Sequence, residues 1–172
     1  GRAGRPQRTF TLALGGGGAR GVAHIVMIEA LDELGVKPRV IAGSSIGAAI
    51  GAAYAAGMPG KDIRRHVVSL MHDRGDVFRR MMAARTGGFA SLLHSPLGNP
   101  LLIDAEKFCT AFLPSEIPET FEELALPLRV VATDYYGRVA TTFESGPLRP
   151  VLAASIAVPG LVRPVRIGDR VM

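Results

Sequence analysis

The feature that most constrains this chain is a Gly-x-Ser-x-Gly sequence where an apolar, β-branched run meets a run of small residues. Residues 40–42 lead into Gly43, Ser45 follows two positions later, and Gly47 opens an alanine-rich stretch. A serine on a sharp strand-to-helix turn needs small residues two positions before and after it, because strand and helix pass closely there. The sequence therefore predicts a nucleophile elbow with Ser45 as the nucleophile.

The adjacent serine does not fit the same pattern. Ser44 would have Ala42 and Ile46 at the two flanking positions, and Ile46 is bulky and branched at Cβ. A serine-capped helix start without catalytic chemistry is the alternative interpretation, since the chain holds 21 glycines. The choice between the two depends on the residues around the motif.

Composition fits a globular α/β domain better than the other broad classes. Of 172 residues, 48% are hydrophobic and 20% are charged, which suits one domain with a sizeable core. The net charge of +5 comes from dispersed arginines and aromatic residues are only 6%, so no nucleic-acid partner is expected. A single cysteine, Cys109, allows neither an internal disulfide nor a cysteine-based metal site and predicts a cytoplasmic location.

Two segments bear on targeting and membranes. Residues 1–8 are polar and basic, which predicts a flexible tail before a domain at 9–172 and no signal peptide. Residues 40–58 are uncharged and about as long as a membrane span, so a transmembrane helix is an alternative. Their Ala, Gly and Ser content and their strand-like beginning favour a buried helix of an α/β domain.

The order of elements predicts a mostly parallel sheet covered by helices. A strand at 9–14, a glycine loop at 15–21 and a helix at 22–34 precede a strand at 39–42 and a helix at 45–56. Further predicted elements are helices at 61–71, 101–112 and 148–155, strands at 128–133 and 139–143, and a hairpin at 165–172.

Residues 73–100 have the weakest pattern, with arginines interleaved among valine, phenylalanine and methionine. A basic, methionine-rich amphipathic segment beside a hydrolytic site could form a mobile cover that makes transient contact with a membrane surface. A solvated helix face is the alternative. We expect a cytoplasmic protein with either interpretation. It would also lie at the periphery of a membrane if residues 73–100 form such a cover.

The glycine loop permits two chemistries. Gly16-x-Gly18-x-x-Gly21 matches the dinucleotide-binding fingerprint, but the second strand ends without the acidic residue that this fingerprint needs. In the other interpretation, backbone N–H groups of the loop converge on an oxyanion next to the serine of the elbow. A nucleotide- or phosphate-binding module and a hydrolase both remain open at this point.

From Phe10 onward, the chain resembles the patatin-like phospholipase family. The family's Gly-Gly-Gly-x-Arg/Lys-Gly block is matched by residues 16–21, its elbow by residues 43–47, and a looser proline block by residues 154–160. The strand end at 132–134 is similar to that of bacterial members. The resemblance implies a three-layer α/β/α fold and hydrolysis of acyl lipids by a Ser-Asp dyad. No cofactor is expected, and no metal site is expected because no spacing of His, Cys or carboxylate residues recurs.

The resemblance also implies roles for individual residues. Ser45 would attack the ester, an aspartate would accept its proton, and three backbone N–H groups would hold the oxyanion. The implied oxyanion donors are Gly16, Gly17 and Gly18, and the supporting residues are Arg20, Gly43 and Gly47. Arg20 would either fix the loop or contact a lipid phosphate.

One part of the family pattern has no match. The family's aspartate lies in an Asp-Gly-Gly or Asp-Gly-Ala motif, and no Asp-Gly pair occurs in these 172 residues. We expect the aspartate to follow Met172, so that the domain lacks its C-terminal part and the 172-residue chain alone is inactive. Asp134 and Asp169 are the alternative bases.

Other arrangements of a reactive serine are possible. A Ser-His-Asp triad would need a histidine, and His24 lies next to the glycine loop, whereas His66, His72 and His94 fall in no motif. An acyltransferase or thioesterase could use a similar elbow, as malonyl transacylases do with a serine and a histidine. We expect packing or surface roles for the histidines.

Overall fold

The fold begins with two strand–helix units, in a computed structural model that describes residues 9–72, 79 and 103–172. In the first unit, β1 (Thr11–Leu14) continues through a 3-10 turn (Gly18–Val22) into α1 (Ala23–Glu33). In the second, β2 (Val40–Ser44) continues into α2 (Ile46–Ala55). The sequence motifs thus lie in the two turns that connect these strands to their helices.

The later elements follow the predicted order, with boundaries shifted by a few residues. The predictions for residues 1–8 and for the segment 73–100, of which residue 79 alone is described, lie outside the described residues, as do residues 101 and 102 of the helix predicted at 101–112. The later helices and strands are α3 (Gly60–His72), α4 (Ala105–Phe112), β3 (Leu128–Asp134), β4 (Val139–Phe143), α5 (Leu148–Ile156), β5 (Arg166–Ile167) and β6 (Arg170–Val171).

The central sheet has the strand order β1-β2-β3-β4, with β5 and β6 forming a separate hairpin. β1, β2 and β3 are parallel, and β4 is antiparallel to β3. Leu14 pairs with Gly43, and Gly43 pairs with Val130, so the carboxyl ends of the parallel strands lie at one edge. The prediction of a mostly parallel central sheet flanked by helices is confirmed.

The core lies on the side of the sheet that α2 and α5 cover. Side chains alternate along the strands, so that Leu12 and Leu14 of β1 are buried while Thr11 and Ala13 are exposed. The small residues of α2 from Gly47 to Ala55 are all buried. A small-residue helix can lie close to the strands, which explains why an uncharged, alanine-rich segment occupies the centre of this fold.

The stretch that could have been a membrane span is divided between two elements. Residues 40–44 form β2, the chain turns at Ser45, and α2 takes the next ten residues. Within the described residues, no helix is long and apolar enough to cross a membrane.

A hydrogen-bond network joins the ends of three helices away from the glycine loop. The Tyr54 hydroxyl donates to Asp32 Oδ1 at 3.1 Å, and the Gly60 N–H donates to Asp32 Oδ2 at 2.7 Å. Burial, and secondly the neighbouring Asp32 carboxylate, raises the pKa of Tyr54 to about 12. The folded protein therefore favours the neutral phenol, because ionisation would place a second negative charge beside Asp32.

Tyr54→Phe should reduce the dependence of stability on alkaline pH. The pKa of Tyr54 in the folded state, about 12, exceeds the ordinary value of about 10. The neutral phenol therefore contributes fully to the unfolding free energy below about pH 10, and this contribution is lost as pH rises towards 12. Urea unfolding at about pH 9 and about pH 11 should show a larger loss of unfolding free energy for the wild type than for Tyr54→Phe. Tyr136→Phe, at an exposed tyrosine, is the control. Equal losses in wild type and Tyr54→Phe would contradict the assignment.

Candidate active site

Ser45 lies at the turn between β2 and α2 and has an unusual backbone conformation. Its φ is 53° and its ψ is −124°, and the only other non-glycine residue with positive φ in the described part of the chain is Arg138. Such a conformation costs about 1 to 3 kcal/mol for a residue with a side chain. The surrounding structure must therefore hold Ser45 in place, while its side chain stays partly accessible to solvent.

Gly43 and Gly47 allow the helix to approach the strands at this turn. A Cβ on Gly43 would lie 2.6 Å from Ala48 Cα, and a Cβ on Gly47 would overlap the Leu14 carbonyl group. Since Cβ atoms essentially never come within 3.0 Å of such groups, any larger residue would push α2 away from β1 or β2. The two positions that the motif requires to be small are therefore the positions of closest backbone contact.

The glycine loop after β1 lies directly beside Ser45. A Cβ built on Gly16 would be 3.5 Å from Ser45 Cβ and 3.8 Å from the Ser44 carbonyl oxygen. A Cβ on Gly21 would overlap the Ile46 side chain, so the end of the loop packs on the start of α2. The structure thus brings the loop and the serine together, although 29 positions separate Gly16 from Ser45.

Two glycines give the loop its shape. Gly17 has φ 149° and Gly18 has φ 56°, both in a region that favours glycine. The Arg20 N–H donates to the Gly17 carbonyl at 3.3 Å and closes the turn. The Arg20 side chain is exposed and has no ion pair within residues 9–72 and 103–172. Arg20 therefore braces the loop through its backbone, and its guanidinium is available to solvent.

The histidines of the described residues are engaged with backbone carbonyl groups. His24 Nε2 donates to the Gly15 carbonyl at 2.9 Å, which holds the first peptide of the glycine loop. His66 and His72 make similar contacts with Phe112 and Val68. No histidine of the described segments hydrogen-bonds Ser45, and His94 lies outside them. His24 thus supports the glycine loop through the Gly15 carbonyl and makes no hydrogen bond to the nucleophile.

The two alternative acids are placed in turns. Asp134 Oδ1 accepts from the Gly137 N–H at 2.8 Å, and its Oδ2 lies 3.9 Å from Arg170 Nε. This geometry is typical of an aspartate that stabilises a turn through its own side chain. Asp169 is exposed in the β5–β6 turn. In the part of the chain that the structure describes, neither carboxylate hydrogen-bonds Ser45.

Other chemistries find little support near the site. In the described ranges, no group of three or more His, Cys, Asp or Glu side chains is arranged to hold a metal ion. Cys109 is buried, and burial raises the pKa of its thiol to about 12. Because a thiol must ionise to attack, Cys109 is a poor nucleophile in the folded protein.

Sequence reasoning missed Ser155, near the end of α5. The Ser45 N–H donates to Ser155 Oγ at 2.8 Å, and the Ser155 hydroxyl donates to the Val131 carbonyl of β3 at 2.7 Å. Ser155 belongs to the proline block of the sequence, which was matched as a whole without a role for this residue. Because 110 residues separate the two serines, no local pattern connects them. The proline block was the only sequence feature that marked Ser155.

Comparison with known sequences points to one family. The model of the family described as patatin-like phospholipase matches residues 12–172. The chain is 35% identical over 161 residues to an uncharacterized NTE family protein of Mycobacterium tuberculosis, covering 94% of this chain and 41% of that protein. A segment of 48 residues is 56% identical to lysophospholipase nte1 of Aspergillus fumigatus, covering 28% of this chain and 3% of that protein. The chain therefore spans less than half the length of these relatives.

Two solved structures share the fold. VipD from Legionella pneumophila superposes with a TM-score of 0.58 and 19% identity, covering 96% of this chain and 45% of that one. The type III effector protein ExoU gives a TM-score of 0.50 and 23% identity, covering 91% of this chain and 41% of that one. At these identities the likeness concerns the fold alone.

Gly47→Ala should destabilise the protein far more than Gly15→Ala. The added methyl of Gly47→Ala would overlap the Leu14 carbonyl, whereas a Cβ on Gly15 meets nothing within 4 Å. We expect Gly47→Ala to lower the unfolding free energy by at least about 3 kcal/mol and Gly15→Ala to change it by less than about 1 kcal/mol. Denaturant unfolding of both variants measures this difference. Similar stabilities for the two would show that α2 does not approach β1 as closely as described.

Proposed function

Because the chain belongs to the patatin-like phospholipase family, we propose that it forms the nucleophile-bearing core of a serine acyl hydrolase. The substrates are phospholipids or other acyl lipids, and the bond that breaks is a carboxylic ester. The observation that carries the proposal is the position of Ser45, in a strained turn with the glycine loop packed against it. A serine that only caps the start of a helix needs neither the strained turn nor the glycine loop beside it.

The geometry of the turn suits a nucleophile. Ser45 precedes α2, so the positive end of the helix dipole lies close to its side chain and favours negative charge there. Ser45 is half-buried, so part of its surface is open to solvent. The N–H of Ser45 is held by Ser155 and the adjoining backbone by the close contacts of Gly43 and Gly47. These features support Ser45 as the attacking group.

The glycine loop supplies the proposed oxyanion hole. Gly16 lies against Ser45, and the N–H groups of Gly16, Gly17 and Gly18 are the donors that we assign to the tetrahedral intermediate. In hydrolases generally, removing one such donor costs about 3 kcal/mol of transition-state stabilisation. His24 supports this loop by holding the Gly15 carbonyl. The loop is thus proposed to act on charge that develops during the reaction, and it requires no metal.

The reaction proceeds by acyl transfer in two stages. Ser45 Oγ attacks the ester carbonyl carbon while an aspartate accepts its proton, and the glycine loop holds the resulting oxyanion. Collapse of the intermediate breaks the ester C–O bond, and the aspartate returns the proton to the departing alcohol. Water then attacks the acyl carbon and gives a proton to the aspartate, the bond between the acyl carbon and Ser45 Oγ breaks, and the aspartate passes the proton to Oγ, which releases the fatty acid and restores both residues.

We assign the base to an aspartate that follows Met172 in the full-length protein. Asp134 stabilises its own turn and Asp169 is exposed in a hairpin, which leaves both poorly suited to the role. The Tyr135 N–H, just beyond β3, donates to the Val171 carbonyl at 2.8 Å. The chain therefore reaches Met172 beside the carboxyl end of β3, the sheet edge at which Ser45 also lies, and this supports the assignment.

Ser45→Ala should abolish ester turnover by the full-length protein. Removing the nucleophile should lower kcat by at least about 1000-fold and prevent labelling by a fluorophosphonate probe, with circular dichroism unchanged. Ser44→Ala, which removes the adjacent hydroxyl, should still be labelled. Labelling or turnover that survives in Ser45→Ala would remove Ser45 from the mechanism.

The 172-residue chain alone should be nearly inactive compared with the full-length protein. Loss of the general base should lower turnover by about 100- to 10,000-fold, provided that the shorter chain remains folded by circular dichroism. The Asp134→Asn and Asp169→Asn variants of the full-length protein should retain most of the wild-type activity. Full activity of residues 1–172, lost on either substitution, would place the base within this chain instead.

A further inference from the structure

The Ser155 hydroxyl occupies a specific place between β3 and the nucleophile turn. It accepts a hydrogen bond from the Ser45 N–H at 2.8 Å and donates one to the Val131 carbonyl at 2.7 Å. A hydroxyl can do both at once, because it carries one donor and two acceptor lone pairs. Ser155 thus links the backbone of the reactive residue to the neighbouring strand.

The register of the sheet shows what this hydroxyl replaces. In the parallel pairing of β2 with β3, the Ile41 N–H donates to the Pro127 carbonyl at 2.9 Å. Four residues further along both strands, the same register would bring the Ser45 N–H to the Val131 carbonyl. These are the two groups that Ser155 connects. The hydroxyl is therefore inserted into the place of the next ladder hydrogen bond.

This insertion allows β2 to leave the sheet at Ser45 without leaving polar groups unpaired. A direct bond to Val131 would hold Ser45 in the strand, whereas its observed φ of 53° is far from strand geometry. An unpaired, partly buried N–H or carbonyl would cost about 1 to 3 kcal/mol. Through the hydroxyl, both backbone groups are satisfied while the chain turns.

We propose that Ser155 is a positioning residue, whose hydroxyl ends the β2–β3 ladder and fixes the backbone of Ser45 in the conformation that presents Oγ for attack. The inference rests on the proposed function of Ser45. It also has a consequence for the oxyanion hole: the Ser45 N–H is already engaged, so the donors must come from other groups, such as those of the glycine loop that packs against Ser45.

The test compares variants that keep or remove the hydroxyl in the full-length protein. Ser155→Thr retains it, Ser155→Val has the shape of threonine without it, and Ser155→Ala removes it without adding volume. A misplacement of about 1 Å at a reacting group can lower the rate about 100-fold. We expect kcat to fall about 100-fold in Ser155→Val and Ser155→Ala with KM changed less than about threefold, and Ser155→Thr to remain within about threefold of wild type.

Two controls separate positioning from stability. Each rate is divided by the concentration of Ser45 that reacts with a fluorophosphonate, so that unfolded molecules do not lower the measured kcat. Ser69→Ala removes another helical serine that donates to a backbone carbonyl, that of His66 at 2.7 Å, and should leave turnover unchanged. A merely structural Ser155 would lower the melting temperature but leave kcat per site as in the wild type.

The outcomes distinguish this inference from the proposed function. A wild type that neither hydrolyses esters nor reacts with the probe at Ser45 would overturn the proposed function and the inference together. A reactive wild type with normal kcat per site in Ser155→Ala and Ser155→Val would overturn the inference alone. A loss in both of these variants with rescue in Ser155→Thr supports it.

Discussion

The structure around Ser45 depends on how closely α2 approaches the ends of two strands. Gly47 lies against the Leu14 carbonyl at the end of β1, and Gly43 of β2 lies against Ala48 of the helix. Leu14 also precedes the glycine loop, so one contact fixes both the start of the helix and the start of the loop. Because backbone meets backbone here, neither element can shift without the other.

This close approach makes an unfavourable conformation at Ser45 tolerable. The positive φ costs about 1 to 3 kcal/mol, and hydrogen bonds of about 1 kcal/mol each, such as the two of Ser155, are of a size to offset it. Packing of Ile46 on Gly21 adds a contact between the turn and the loop. The strain is thus localised at one residue and compensated by its neighbours, as is common at functional sites.

The sequence was informative where a feature is local. The small residues at Gly43 and Gly47, the glycine run and the alternation of strands and helices all follow from short-range patterns, and the predicted element order and mostly parallel sheet are confirmed. The 3-10 turn at Gly18–Val22 was not predicted, since it depends on the positive φ values of Gly17 and Gly18.

Contacts between distant residues could not be predicted from periodicity. Ser155 meets Ser45, and Asp32 meets Tyr54 and Gly60, only because the folded chain brings their helices together. The roles of the catalytic residues stay predictions.

The central claim is that Ser45 attacks an ester whose oxyanion is held by the glycine loop. A crystal structure of the full-length protein after reaction with a fluorophosphonate tests it most directly, because the tetrahedral phosphorus resembles the intermediate. We predict phosphorus bonded to Ser45 Oγ, with its phosphoryl oxygen about 3 Å from N–H groups of Gly16, Gly17 or Gly18. An adduct on another residue, or a phosphoryl oxygen that contacts no N–H of this loop, would contradict the account.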